Sequence, residues 1–452
     1  MVLPLVRNFA GFCWWISLEE VYRKGHMIYL VGIGGTLSSR QSTFILSAFL
    51  LLTAVMLGGV IWASSRIASQ EIGGEYFLIQ WIAIRAKVVD GVSPYSTTAS
   101  NRISDQVEGV YHWVEDTEPV YTEPLFSAVL TLPFSLIQDV ATAHTLWLVV
   151  QFLVVLLTIL AAVRLTGWRP SWWVFSFILI LVLFSLRTLQ SWYQGSMMIW
   201  VLGLVAGELL AIQGKRFELA GFLLALTMIQ PQVMIIWVVF VLFWAGAQHK
   251  WRLVFWFFSS LVFLGVLAAF LVPDWLMQYL RILWNFGNYF PPGGPGFAFQ
   301  QWWPGLGRQM GWALSALLGL ILLVEWWLAA RRDFRWFLWT ACLTLVVSTL
   351  IGLPVNPDGY ILLTLPFFLV GAVFDERWRR GGKWVVFIGV FLVFAWEWYL
   401  FITSLGNLQS GMKLLLIFPM PVMLLISLYW ARWWAIRPKR LLIDELRASE
   451  TY

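Results

Sequence analysis

A dozen apolar runs, each closed by a polar gap, leave this chain few ways to fold. They lie near residues 43–63, 141–163, 171–186, 195–212, 219–229, 233–244, 253–272, 311–329, 337–353, 360–373, 384–401 and 414–430. Inside a bilayer every backbone N–H and C=O must be satisfied within the chain, which α-helices achieve segment by segment. The expectation is an all-α polytopic membrane protein with about twelve transmembrane helices. Composition agrees, with 60% hydrophobic and 12% charged residues and a mean hydropathy of +0.77, far outside the soluble range.

The basic residues set the orientation. Arg164/Arg169, Lys215/Arg216, Lys250/Arg252, Arg331/Arg332/Arg335 and Arg377/Arg379/Arg380/Lys383 fall on alternate loops, and the positive-inside rule assigns those loops and both termini to the cytoplasm. The expected layout is a cytosolic N-terminal segment over residues 1–42, one membrane domain over 43–433, and a cytosolic tail over 434–452. Residues 1–41 mix charges with apolar pieces, show no small-residue cleavage site, and leave Met27 open as an alternative start. The net charge of +6 is spread over short loops rather than gathered on one face, so no nucleic-acid partner is expected. Cys13 and Cys342 fall in a cytosolic-side segment and an expected span, which argues against a disulfide. His112, His144 and His249 have no partners at ligand spacing, and no metal or other cofactor is expected. Glu208 and Glu325, near cytosolic helix ends, are expected to pair with Lys215/Arg216 and Arg331/Arg332.

The opposite loops then face outward, and two are large: residues 64–140 and 273–310. The first carries expected interfacial helices, one from about Tyr76 to Val89 and another over residues 123–137, too short and polar-ended to span. Two short apolar runs meet at Gln230-Pro231-Gln232; each falls short of a bilayer core of about 30 Å, so their tip should form the floor of an outward cavity. The Gly/Pro-rich second loop suits a lid.

Chemistry is sought among polar residues at that boundary. Glu75 opens the first interfacial helix, where it is either a catalytic base or a simple cap. Arg85 and Lys87 either hold a phosphate or snorkel to headgroups. Arg187, Arg281 and Arg308 are further phosphate candidates, against ordinary interfacial anchoring. Gln194, Gln230, Gln232, Asn288, Trp302, Asn356, Asp358 and Tyr360 offer amides, aromatic faces and hydroxyls for a sugar or an acceptor, against turn-forming and belt roles. The remaining acids of the first loop, Glu123 among them, read as a solvated face, and Glu397 as an intramembrane carboxylate of functional interest.

In chain order these residues resemble the integral-membrane glycosyltransferases of the GT-C superfamily, and most closely glycosyltransferase family 87. Gly73-Gly74-Glu75-Tyr76-Phe77, followed by Ala83-Ile84-Arg85-Ala86 and Gly91-Val92-Ser93-Pro94-Tyr95, is similar to the family's acidic motif with its trailing G-x-x-P-Y. Tyr121-Thr122-Glu123-Pro124-Leu125-Phe126 is similar to its Y-P-P-L-F segment, Tyr193-Gln194-Gly195-Ser196 to its glutamine-containing turn, and Ala220-Gly221-Phe222-Leu223-Leu224-Ala225 with Gln230-Pro231-Gln232 to its A-G segment running into Lys-Pro. The chain has Glu75 where the family usually has Asp, Gln230 in place of the lysine, and Asp358-Gly359-Tyr360 where a histidine is common. The resemblance implies a GT-C-like fold and inverting transfer of mannose or a similar hexose from a polyprenyl-phosphate sugar to a lipid or glycan acceptor. The reaction would take place on the outer face of the cytoplasmic membrane, with Glu75 as base and the arginines or Lys87 on the leaving phosphate. It implies no metal. The alternatives are a transporter or flippase of lipid-linked sugar and an inactive relative.

Overall fold

The computed structural model describes residues 58–66, 74–107, 120–168, 170–284, 295–351, 357–377, 382–404 and 418–436. Residues 1–57, which hold the expected N-terminal segment and most of the first expected span, and the tail beyond 436 lie outside them. Among the described residues every regular element is helical.

Four stretches are long and apolar enough to cross a bilayer: Val140–Thr166, Trp251–Leu271, Gly307–Ala329 and Asp358–Arg377. A fifth arises if Trp173–Leu183 and Leu186–Tyr193, bent by 49° at their junction, count as one broken crossing. Most of the other described runs are apolar helices of 10–17 residues, including Met198–Gln213, Phe217–Thr227, Pro231–Ala247, Phe334–Leu350 and Pro419–Trp430. Length separates the two groups: at 1.5 Å per residue an 11-residue helix reaches about 16 Å, roughly half a bilayer core. By length and composition the described residues therefore give four or five crossings, beside an expectation of about twelve. The short pair anticipated around Gln230 is present as Phe217–Thr227 and Pro231–Ala247, with Pro231 in the first turn, where its missing N–H costs nothing.

The Val140–Thr166 helix shows how local sequence sets such ends. Asp139 caps it by accepting from the Thr142 N–H at 2.9 Å. Gly167, at φ 66°, closes it, its N–H turning back to the Arg164 carbonyl.

Two hydrophobic cores result. The larger joins the membrane helices through Trp237, Phe240, Phe337, Trp339 and Phe368. The smaller gathers Phe77, Ile84, Tyr121, Leu125, Trp147 and Tyr279 around the Glu75–Asp90 helix. That helix forms close to its expected limits, ending at Gly91 with φ 71°. It does not present one face to a surface, however: Phe77, Gln80, Trp81, Ile82, Ala83, Ile84 and Ala86 are all buried. Its residues are apolar on every side, and a helix of that kind is driven into a core. The neighbouring Ala128–Ser135 helix covers it, with Trp81 Nε1 donating to the Phe134 carbonyl at 3.2 Å.

Two expected ion pairs give way to other partners. Glu208, fully buried, accepts at 2.9 Å from Nε1 of Trp237, a residue of the Pro231–Ala247 helix, instead of pairing with Lys215 or Arg216. Glu325 pairs with Arg432 at 3.0 Å, contributed by the helix after Pro419–Trp430, rather than with Arg331 or Arg332.

Candidate active site

The Glu75–Asp90 helix starts where two glycines let backbones meet. Gly74 sits at φ 79° and donates its N–H to the Tyr193 carbonyl at 2.9 Å. A Cβ there would lie 2.4 Å from His144 Cε1, so only glycine fits both the backbone and the space. Gly195, at φ 69°, is constrained in the same way, since its Cβ would lie 2.7 Å from Phe77 Cβ. His144 stacks on Phe77 with centroids 5.1 Å apart. Glu75 is thereby fixed at the first turn of a helix pressed against the turn from Tyr193 to Ser196. It is half-buried, and the helix N-terminus favours its ionised form.

The same turn holds a second acid. Trp147 Nε1 donates to the Gly195 carbonyl at 3.0 Å and Gln151 Nε2 to the Ser196 carbonyl at 2.7 Å. Ser196 Oγ then donates to Asp358 Oδ2, and Ser191 Oγ to the Asp358 carbonyl at 3.2 Å. Asp358 is 5% exposed, and its Oδ1 has no hydrogen-bond partner. Two residues on, the Tyr360 ring lies under the Arg187 guanidinium at 4.7 Å. Arg187 donates through Nε and Nη2 to Glu397 Oε1, at 3.1 and 2.8 Å, forming an ion pair with both side chains buried.

A third acid is the least expected. Glu123 is 7% exposed; its Oε1 accepts from Gln80 Nε2 at 3.1 Å and from Gln230 Nε2 at 3.4 Å. Its backbone carbonyl accepts from the Tyr95 hydroxyl at 2.7 Å. Burial raises the Glu123 carboxyl to about 7, against its own and Thr122's backbone N–H groups and the two amides, which favour the charged form. The three acids converge electrostatically on Tyr76. Burial first, then the charges of Asp358, Glu75 and Glu123, hold its phenol well above the usual range.

A pH dependence of stability follows. The unfolded chain releases the Glu123 proton near 4.5 and the folded chain near 7, so in that window the folded state binds the extra proton. Stability then falls as pH rises through the window and levels off above it. Thermal melts in detergent from about pH 4 to about pH 8 should show this decline, and Glu123→Gln should remove it. An identical decline in both proteins would assign the effect to another group.

Of the residues singled out from sequence, Glu75 and Gln194 lie at or in the turn from Tyr193 to Ser196, Asp358 is bonded to that turn, Tyr360 lies against Arg187, and Gln230 and Gln232 belong to the cluster around Glu123. Gln194 is buried in the turn itself, and Gln232 Nε2 donates to Gln230 Oε1 at 2.7 Å. The other cations are placed elsewhere. Arg85 donates to the Ser135 and Ile137 carbonyls, at 3.1 and 3.2 Å, with its guanidinium over Trp81; it caps the Ala128–Ser135 helix instead of presenting itself to a ligand. Lys87 donates to the Gly91 carbonyl at 3.2 Å at the exposed end of its helix. Arg281 and Arg308 are exposed, in the last turn of Trp275–Trp284 and the first turn of Gly307–Ala329. Asn288, Asn356 and the Trp302 side chain lie outside the described residues. Sequence reasoning missed Gln80 and the burial of Glu123. The available signal was Gln80 itself, an uncharged polar residue inside an otherwise apolar helical stretch. Among the described residues no three His, Cys, Asp or Glu side chains converge as metal ligands.

Apolar helices long enough to cross a bilayer, with buried acids, amides and an arginine paired to Glu397 among them, mark a membrane protein with buried polar clusters. Residues 121–354 match the model of glycosyltransferase family 87, and the chain belongs to that family. The matched part includes Glu123, Arg187, Gln194, Gln230 and Gln232; Glu75, Asp358 and Tyr360 lie outside it. No curated protein matches the chain. Family membership makes it a glycosyltransferase, with a sugar donor and an acceptor as its substrates.

Proposed function

We propose that this glycosyltransferase moves a hexose, mannose or a close relative, from a polyprenyl-phosphate donor to a hydroxyl of a lipid or glycan acceptor, with inversion, at the outer face of the cytoplasmic membrane. The observation that carries the reading is the position of Glu75, a half-buried carboxylate in the first turn of a helix whose Gly74 is tied to the turn from Tyr193 to Ser196, the turn that also holds Asp358. Orientation rests on the alternation of basic loops, which assigns both termini to the cytosol.

In this mechanism Glu75 takes the proton of the acceptor hydroxyl as its oxygen attacks the anomeric carbon. The new C–O bond forms on the face opposite the bond to the phosphate, which breaks, and polyprenyl phosphate leaves with the electron pair. Arg187 is the cation assigned to that phosphate, because the network through Tyr360 ties it to Asp358. No metal or other cofactor is part of this scheme.

The test supplies purified protein in lipid nanodiscs with a labelled polyprenyl-phosphate hexose and a lipid acceptor. Glycosylated acceptor together with free polyprenyl phosphate is the expected result. Movement of the intact donor across the bilayer without release of polyprenyl phosphate would make the protein a transporter instead. No turnover with any donor would leave an inactive relative.

A further inference from the structure

The hydrogen bonds around Glu123 run in one direction. Gln232 Nε2 donates to Gln230 Oε1, Gln230 Nε2 donates to Glu123 Oε1, and Gln80 Nε2 donates to the same oxygen from the opposite side. Oε1 accepts from both neighbouring amides, which are thereby fixed with their nitrogens toward it. The amide oxygens must then point away. Three buried acceptors accordingly have no hydrogen-bond partner: Glu123 Oε2, Gln80 Oε1 and Gln232 Oε1. The Tyr279 hydroxyl, whose ring lies 6.4 Å from that of Tyr95, the residue bonded to the Glu123 carbonyl, is also unpartnered.

Unsatisfied buried polar atoms are costly, and four of those among the described residues belong to Glu123 and the side chains around it. Their chemistry selects the ligand. Acceptors of this kind repel a phosphate and suit a group that donates several hydrogen bonds from neighbouring positions. The vicinal hydroxyls of a sugar ring do this, and Tyr279 adds both a hydroxyl and an aromatic face.

We propose that Glu123, held by Gln80 and Gln230 and extended by Gln232, is a sugar-hydroxyl recognition site that determines which hexose the enzyme accepts. The proposal rests on the glycosyltransferase reading and deepens it. Glu123 is a recognition residue, separate from the base.

The test uses the full chain in nanodiscs with two substrate series, monodeoxy analogues of the donor hexose and of the acceptor sugar, which distinguishes the two possible sources of the hydroxyls. Wild type should discriminate by about 100-fold or more in kcat/KM against the analogue lacking one particular hydroxyl, and by much less against the others. Glu123→Gln and Gln232→Met should each reduce that one preference about 10-fold or more without changing the ranking of the others. The Gln232→Met variant guards against misfolding at Glu123. The same preference is read in binding, by tryptophan fluorescence titration with the methyl glycosides of both series, so the outcome does not depend on the donor being a polyprenyl phosphate. Equal loss with every analogue in both variants, with discrimination intact, would reduce Glu123 to a structural role while the glycosyltransferase reading stood. Turnover and binding that ignore every single hydroxyl in wild type would overturn the proposal outright. Failure to consume any polyprenyl-phosphate donor, with hydroxyl-selective glycoside binding retained, would instead reject the donor assignment and keep the recognition site.

Discussion

Glu75→Gln is expected to lower sugar transfer by roughly 10²- to 10⁴-fold, the usual contribution of a positioned general base. The substitution keeps the side-chain shape and the helix start, so the fold and donor affinity should survive. The loss should appear in kcat and kcat/KM alike, because the proton is taken only as the transition state forms. Gly74 and Gly195 sharpen this expectation. They fix the backbone at Glu75 against His144 and Phe77, so the carboxylate cannot be replaced by a simple shift of a neighbouring acid. Glu75→Asp, one methylene shorter, should retain part of the rate. Unchanged turnover in Glu75→Gln would remove it from the mechanism, and a rise in KM alone would make it a binding group.

The second large effect concerns Arg187 and Glu397. Both side chains are buried, at 9% and 4% exposure, and Glu397 Oε2 has no further partner. Arg187→Met would leave a carboxylate buried without its counter-charge, which costs about 3–5 kcal/mol when such a pair is broken from one side. Thermal melts should show that loss, and Arg187→Met combined with Glu397→Leu should recover most of it, since an apolar pair of similar volume often replaces a buried ion pair at no net cost. Activity separates the two roles of the arginine. If Arg187 also stabilises the leaving phosphate, the double variant regains stability but not turnover. A single variant as stable as wild type would show that the pair is not needed for folding, and a fully active double variant would remove Arg187 from the phosphate.

Helicity, the helix from Glu75 to Asp90 with glycine at both ends, and the short pair meeting at Gln230 were all legible in sequence. Each depends on local rules: apolar runs, αL glycine, and proline in a first turn. The meeting of Asp358 with the turn from Tyr193 to Ser196 was also within reach, because alternating basic loops put both at the same end. What polar side chains do on meeting was not legible. Glu123 and Gln230 are 107 residues apart, and nothing near Glu123 announces that two amides will enclose it. From sequence, Arg85 read equally as a phosphate ligand and as a side chain reaching for headgroups. In the fold it spends its donors on Ser135 and Ile137, carbonyls about fifty positions away in sequence. The count of crossings was blurred for a related reason. Hydropathy registers that a run is apolar, and not whether lipid or other helices will cover it.

The turn from Tyr193 to Ser196 has a consequence for anyone exchanging parts between relatives. It carries the Gly74 anchor on one side and the Asp358 anchor on the other, and its carbonyls are in turn pinned by Trp147 and Gln151. Three stretches of chain far apart in sequence therefore share one mounting. A chimera that imports a foreign first loop, while keeping this turn and the Val140–Thr166 helix native, inherits a mismatch at His144 and Phe77. Such exchanges should succeed only when residues 74–77, 144–151, 193–196 and Asp358 travel together, which makes them the smallest transferable piece of this site.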